Sequence, residues 1–150
     1  MKNKTKGIII KNIIAENHKK NSFIKAKAIK GRGRGKALGF PTLNLKTETK
    51  QNFKPGVYLA KIKFNHNLLR ALLHFGPIPS FNEKEDSLEV YILGFNKKIT
   101  IGQGVEFKPL YFLRPIKKFK TRKELSSQIK KDVAKAKSIF KLVEAEVEVK

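Results

Sequence analysis

Gly31-Arg32-Gly33-Arg34-Gly35-Lys36-Ala37-Leu38-Gly39-Phe40-Pro41-Thr42-Leu43-Asn44-Leu45 is the stretch on which the reading of this chain turns. Its first half is a basic loop with glycine at alternate positions. Glycine lets a ligand approach the backbone N–H groups, and Arg and Lys supply charge for phosphates. The second half is stiffer. Pro41 fixes its own φ and biases Phe40 towards extended geometry. If the chain runs extended from there, Thr42 and Asn44 share one face, with Leu43 and Leu45 on the other. A hydroxyl and an amide carbonyl beside a cationic loop suit a hard metal ion that carries a nucleotide. Residue chemistry alone leaves a second reading open: an RGG-like basic loop that leads into a hairpin turn.

Two familiar phosphate motifs fail here. A dinucleotide fingerprint from Gly31 needs glycine where Lys36 stands, and one from Gly33 needs glycine or alanine where Leu38 stands. A P-loop needs Ser or Thr after Gly35-Lys36, and that position is Ala37.

Outward from this stretch, the pattern is β until late in the chain. Phe23–Ile29, Val57–Phe64, Leu68–Phe75, Leu88–Leu93 and Val105–Leu113 read as strands, the last interrupted by Pro109. Lys46–Lys54 reads as a loop, Asn65-His66-Asn67 and Asn96-Lys97-Lys98 as turns, and Gly76–Phe81 as irregular chain. Glu83, Lys84, Glu85 and Asp86 read as a solvated loop. Helical spacing appears only after the capping box Thr121-Arg122-Lys123-Glu124, where Leu125, Ile129, Val133, Ala136 and Phe140 follow on one face. Short strands followed by one helix predict a mainly β fold, a closed barrel with the helix packed on it.

Gly-x-Gly-Arg-Gly followed by Leu-Gly-Phe-Pro-Thr-x-Asn-Leu resembles the opening motif of the riboflavin kinase (flavokinase) family, dense over Gly31–Leu45. The resemblance implies a six-stranded antiparallel Greek-key barrel with a C-terminal helix, an ATP-dependent kinase converting riboflavin to FMN, and Mg²⁺ with the ATP. It implies Thr42 and Asn44 as the metal-and-ATP pair, and Gly31, Gly33 and Lys36 as the phosphate loop. It extends over Phe23–Phe140 and matches the kinase half of bacterial bifunctional enzymes, since the short N-terminal piece cannot encode their adenylyltransferase domain. The expected division is a basic extension over residues 1–22, the kinase-like unit over 23–140 and an acidic tail over 141–150.

Pattern alone leaves Glu89, bracketed by Leu88 and Val90, either on a solvent face or at a site. The resemblance decides for the site. The family carries its catalytic glutamate as Glu-x-His followed by two apolar residues, and Glu89 stands in that place. Leu113-Arg114-Pro115 with Lys117 and Phe119 resembles the flavin-contacting segment, with Arg114 and Lys117 on the product phosphate or the ring edge. The competing reading of Arg114 is a surface charge at a strand end. Tyr91 replaces the usual histidine, Ser80 the usual threonine, and Gly94 a frequent polar residue.

The chain has 150 residues, a formal net charge of +22 and no cysteine. It reads as a single domain in a reducing cytoplasm, as a monomer, with no disulfide framework or thiolate zinc site. His18, His66 and His74 lack metal-ligand spacing and read as ordinary residues. Ile8-Ile9-Ile10, broken by Lys11 and Asn12, is too short to span a membrane. The charge supports an alternative function, a basic β-barrel nucleic-acid-binding module. Only five of the 34 basic residues are arginine, however, and the lysines are scattered as solvated surface charge. Finally, Val143–Val149 alternates apolar and acidic residues. This suggests a strand that pairs with the apolar, lysine-flanked stretch Ile8–Ile14, the competing reading being that both ends are frayed.

Overall fold

The computed structural model describes residues 7–9, 11–12, 23–31, 36, 38–81, 83–94 and 99–149. The Asn96-Lys97-Lys98 turn and Gly33 lie outside these residues. Six antiparallel strands close into a barrel in the order β1-β2-β5-β4-β3-β6. They are β1 (Ile24–Ile29), β2 (Leu43–Thr47), β3 (Gly56–Phe64), β4 (Asn67–Ile78), β5 (Glu83–Ile92) and β6 (Gly104–Arg114). One helix, α1 (Arg122–Val149), follows. β3, β4 and β5 are consecutive neighbours, while β2 and β6 return to flank them, which is Greek-key connectivity.

Period-2 alternation builds two cores from one wall. Tyr58, Ala60, Ile62, Leu73, Val90 and Phe107 point into the barrel. Val57, Leu59, Leu72 and Leu110 point outwards and are covered by Val133, Ala136, Ile139, Phe140 and Val143 of α1. The run Val57-Tyr58-Leu59-Ala60 is therefore buried on both faces, while Lys63 beyond the helix is exposed. The β3–β4 turn has the geometry its residues favour, with φ of +46° at Asn65 and +66° at His66. At the helix start, Thr121 Oγ1 accepts the Glu124 N–H at 3.1 Å. The Glu124 carboxylate accepts the Lys120 N–H, one residue before the usual capping-box partner.

Three expectations need correction. β4 continues through Gly76 and Pro77 to Ile78, and only Pro79–Phe81 leaves the strand, as a 3-10 turn. The polar segment from Glu83 is the start of β5, because Ile78 and Gly76 pair with Glu83 and Ser87 regardless of side-chain polarity. Val143–Val149 is helix, not strand, and residues 7–9 and 11–12 are helical as well. The other residues of Ile8–Ile14 lie outside the described ones. The closed barrel leaves no strand edge to pair with, whereas extending an existing helix costs no new nucleus. Val143, three residues after Phe140, continues the buried seam, and Glu144 reaches Arg70 of β4 at 3.3 Å. Val143→Ala should therefore lower unfolding stability by about 1.5 kcal/mol or more. Leu142→Ala, more exposed, should stay within about 0.5 kcal/mol of the parent. Paired urea titrations check both.

Candidate functional site

A single row of register partners crosses the outer wall of the barrel. Asn44 of β2 stands opposite Glu89 of β5, Glu89 opposite His74 of β4, His74 opposite Val57 of β3, and Val57 opposite Arg114 of β6. Register partners of this kind have Cα atoms about 4.5–5.5 Å apart. Arg114 joins the row through a bulge. Tyr58 pairs with Phe112 and Val57 with Arg114, so Leu113 is an extra residue that shifts the arginine into line. Gly56 makes room there, since a Cβ would run into the Phe112 ring and the Arg114 carbonyl.

Beside this row lies a cavity of about 130 Å³ between the barrel wall, α1 and the segment after β6. Thr42, His74, Ser80, Glu89, Arg114, Lys117 and Asp132 supply its polar groups, with Phe40, Tyr91 and Phe119 among its apolar walls. Arg114 is held by α1: its Nε donates to both Asp132 oxygens at 3.0 Å, and its Nη2 donates to Oδ2 at 2.8 Å. Gln128 donates a further hydrogen bond to Asp132 at 2.9 Å. Phe119 takes the Arg114 guanidinium at 5.9 Å and the Lys117 ammonium at 5.5 Å from its ring centroid. The Phe119 N–H donates to Ser80 Oγ at 3.0 Å, which anchors this segment to the turn after β4. Tyr91, in the histidine position, packs edge-on against Phe40 at 5.7 Å.

The expected residues fall into three groups. Thr42, Glu89, Arg114 and Lys117 line the cavity together. Asn44 adjoins Glu89 through the register, and Gly31 lies directly against it: a Cβ on Gly31 would occupy the space of the Asn44 amide. Lys36 is exposed and stands outside the cavity lining, joined to the following turn by a hydrogen bond from the Gly39 N–H to its carbonyl.

Two site residues escaped the sequence reading. Asp132 sits among lysines, yet its spacing from Ile129 and Ala136 puts it on the apolar face of α1, where it is 5% exposed. His74 looked like an ordinary residue in an apolar strand. Its Nδ1 is buried and has no hydrogen-bond partner among the described residues. Burial lowers its pKa from 6.5 to about 4, and the Arg114 charge pushes the same way against weaker opposing effects from the Pro77 and His74 backbone.

The unfolded chain binds the His74 proton more readily than the folded one between about pH 4 and 6.5. Stability should rise with pH through that window and be fully present above it. Thermal midpoints from pH 4 to 7 should show this rise, and it should be smaller in His74→Phe.

The family model for riboflavin kinase (Flavokinase) matches residues 18–140 of the chain. The bifunctional riboflavin kinase/FMN adenylyltransferase of Bacillus subtilis is 34% identical over 122 residues, 79% of this chain and 38% of that protein. Human riboflavin kinase is 27% identical over 128 residues, 81% of this chain and 83% of the human one. The chain thus spans less than half the length of the bacterial bifunctional relative. A solved Streptococcus pneumoniae structure described as a macrolide-efflux protein superposes with a TM-score of 0.65 at 27% identity, over 84% of this chain and 44% of that one. With the family model matched over most of its length, onto the closed barrel and the helix that covers it, the chain belongs to the riboflavin kinase family.

Proposed function

We propose that this chain is an ATP-dependent riboflavin kinase. The observation that carries the reading is the register row. It sets the Glu89 carboxylate between the amide of Asn44 and the cationic, aromatic pocket of Arg114, Lys117 and Phe119. The names of the Bacillus and human relatives agree with it.

In this reading Glu89 accepts the proton of the riboflavin 5′-hydroxyl. The hydroxyl oxygen forms a bond to the γ-phosphorus as the bond to the β–γ bridging oxygen breaks, leaving FMN and ADP. Arg114 and Lys117 hold the flavin end or the product phosphate, and Phe119 supplies an apolar face. Gly31, Gly33 and Lys36 take the ATP phosphates, Gly33 lying outside the described residues. Thr42 and Asn44 would hold Mg²⁺. They fit it: both offer hard oxygen atoms, and Gly31 leaves the Asn44 amide the room it occupies. Among the described residues no group of three His, Asp or Glu could hold a metal ion unaided, which suits an ion that keeps phosphate oxygens and waters as its other ligands. Bound there, Mg²⁺ would neutralise charge on the transferring phosphates.

We take residues 23–140 as the kinase unit, with residues 1–22 and 141–150 as its extensions, and assign the reaction to a monomer, since one chain carries every residue named. We place it in the cytoplasm, which the cysteine-free composition suits. No helix among the described residues is long and apolar enough to cross a membrane.

A steady-state assay of FMN formation tests the function, and two variants test the roles. Glu89→Gln should cut turnover by roughly 10²–10⁴-fold while flavin and nucleotide still bind. Turnover near that of the parent would remove Glu89 as the base. Gly31→Ala should displace the Asn44 amide and raise the Mg-ATP requirement with little change in thermal midpoint. A large drop in midpoint with normal kinetics would make the Gly31–Asn44 contact structural only.

A further inference from the structure

We propose that Asp132 of α1 is a positioning residue for the flavin: it holds one edge of the Arg114 guanidinium so that the remaining N–H groups are presented to the substrate. The inference rests on the riboflavin kinase reading and adds to it a residue outside the sequence motifs.

A guanidinium carries five N–H donors in one plane, one on Nε and two on each terminal nitrogen. Asp132 engages the Nε–Nη2 edge: Nε donates to both of its oxygens and Nη2 to Oδ2. Nη1 donates to the Pro115 carbonyl at 3.2 Å. Among the described residues this leaves one N–H on Nη1 and one on Nη2 for a ligand, on a side chain that lines the cavity. The face of the group is held as well as its edge. The Phe119 ring centroid lies 5.9 Å from the guanidinium carbon, and the Phe119 N–H is itself bound by Ser80. An arginine ordered in this way has lost much of its rotamer freedom before a ligand arrives, so less is lost on binding.

Asp132 acts through the arginine and not on the substrate directly. Its Oδ1 accepts from Arg114 and Gln128, and its Oδ2 accepts from Arg114 Nε and Nη2, so both oxygens are occupied. Stability does not account for its place. Glu124 and Glu144 of the same helix are exposed, whereas Asp132 is buried beside Val133 and Ala136. A buried ion pair contributes little net stability compared with apolar side chains packed in the same space. Orientation of the Arg114 fork is what the carboxylate supplies and an apolar residue would not.

The competing role is a staple that only ties α1 to the barrel, and binding measurements separate the two. Asp132→Asn keeps the shape and one acceptor oxygen but not the charge or the second acceptor. It should weaken riboflavin binding, followed by flavin fluorescence, by about tenfold, and leave Mg-ATP binding within about twofold of the parent. In an Arg114→Met background the same substitution should change riboflavin affinity by less than about twofold, because the group it positions is gone. In the unsubstituted chain, the Arg114 Nη ¹⁵N–¹H resonances should shift on addition of riboflavin while the Nε resonance stays in place and slow to exchange. This last readout stands even if a variant fails to fold. Parent-like riboflavin affinity in Asp132→Asn, an equal loss with and without Arg114, or unmoved Nη resonances at saturating riboflavin overturns the positioning role and leaves the kinase reading intact. Absence of riboflavin binding to the parent overturns both.

Discussion

Register is the constraint from which the site follows. In a closed barrel each strand is paired on both sides, so no strand can slide without breaking two ladders and turning its apolar face to the wrong side. Here the inner set Val90, Leu73 and Tyr58 is nearly solvent-free, which locks β5, β4 and β3 in phase. Each outward neighbour is then fixed too: Glu89 beside Val90, His74 beside Leu73, Val57 beside Tyr58. Three residues from distant parts of the sequence acquire a common line because their inward neighbours must be buried. The outer row is the reverse side of the barrel core.

The helix completes what the sheet begins. Arg114 lies at the end of β6, where a long side chain would ordinarily swing into solvent. Asp132 instead grips its guanidinium in the fork geometry that suits a carboxylate, and Gln128 satisfies more of the carboxylate's acceptor capacity. A buried pair of this kind adds little net stability compared with well-packed apolar residues, but losing one partner costs about 3–5 kcal/mol. Its contribution is therefore orientation. It fixes the arginine against Phe119 and ties the closing face of the cavity to the helix seam of Val133, Ala136 and Phe140. Capping by Thr121 and Glu124 sets where that helix starts, and thus where Asp132 falls.

Much of this architecture was legible in the sequence, for reasons that differ by element. β3 is legible because its apolar run Val57-Tyr58-Leu59-Ala60, buried on both faces, leads into Ile62 and Phe64 alternating with Lys61 and Lys63, β6 because it stays apolar across two register shifts, and α1 because its seam on the sheet imposes 3.6-residue spacing. The extension of β4 through Gly76 and Pro77 was hidden, since both residues normally end strands. Gly76 adopts φ +122° there, at an irregularity in the β4–β5 ladder. The polar start of β5 was hidden too, because backbone pairing to β4, not side-chain pattern, makes it a strand. The acidic tail misled for another reason: Val143 satisfies a period of two and a period of three or four at once, and only the buried helix seam selects between them. Thr42, Asn44 and Glu89 are candidates on motif grounds. Asp132 carried a faint signal in its helical phase. His74 carried none, because its meaning depends on standing opposite Glu89, a fact of register.

The charge of the chain bears on the same question of which surfaces do what. The nucleic-acid alternative needs aromatic rings open to stacking bases. Phe53, Tyr58, Phe75, Phe107 and Phe112 are instead linked ring to ring in and around the barrel core. Phe40 and Tyr91 meet edge-on at the cavity, and the Lys63 ammonium lies 3.9 Å from the Phe23 ring centroid. Among the described residues the large exposed apolar side chains are Ile8, Ile29, Leu68, Ile101 and Leu142, all aliphatic. The aromatic surface has gone into packing and into one small cavity, so the described residues do not favour that alternative. What remains is a cationic exterior that can draw any polyanion without sequence preference, ATP included. On such a surface net charge alone discriminates little between anions, whereas the cavity sets Glu89, Arg114, Lys117 and Asp132 of both signs beside the Thr42 hydroxyl in a fixed geometry.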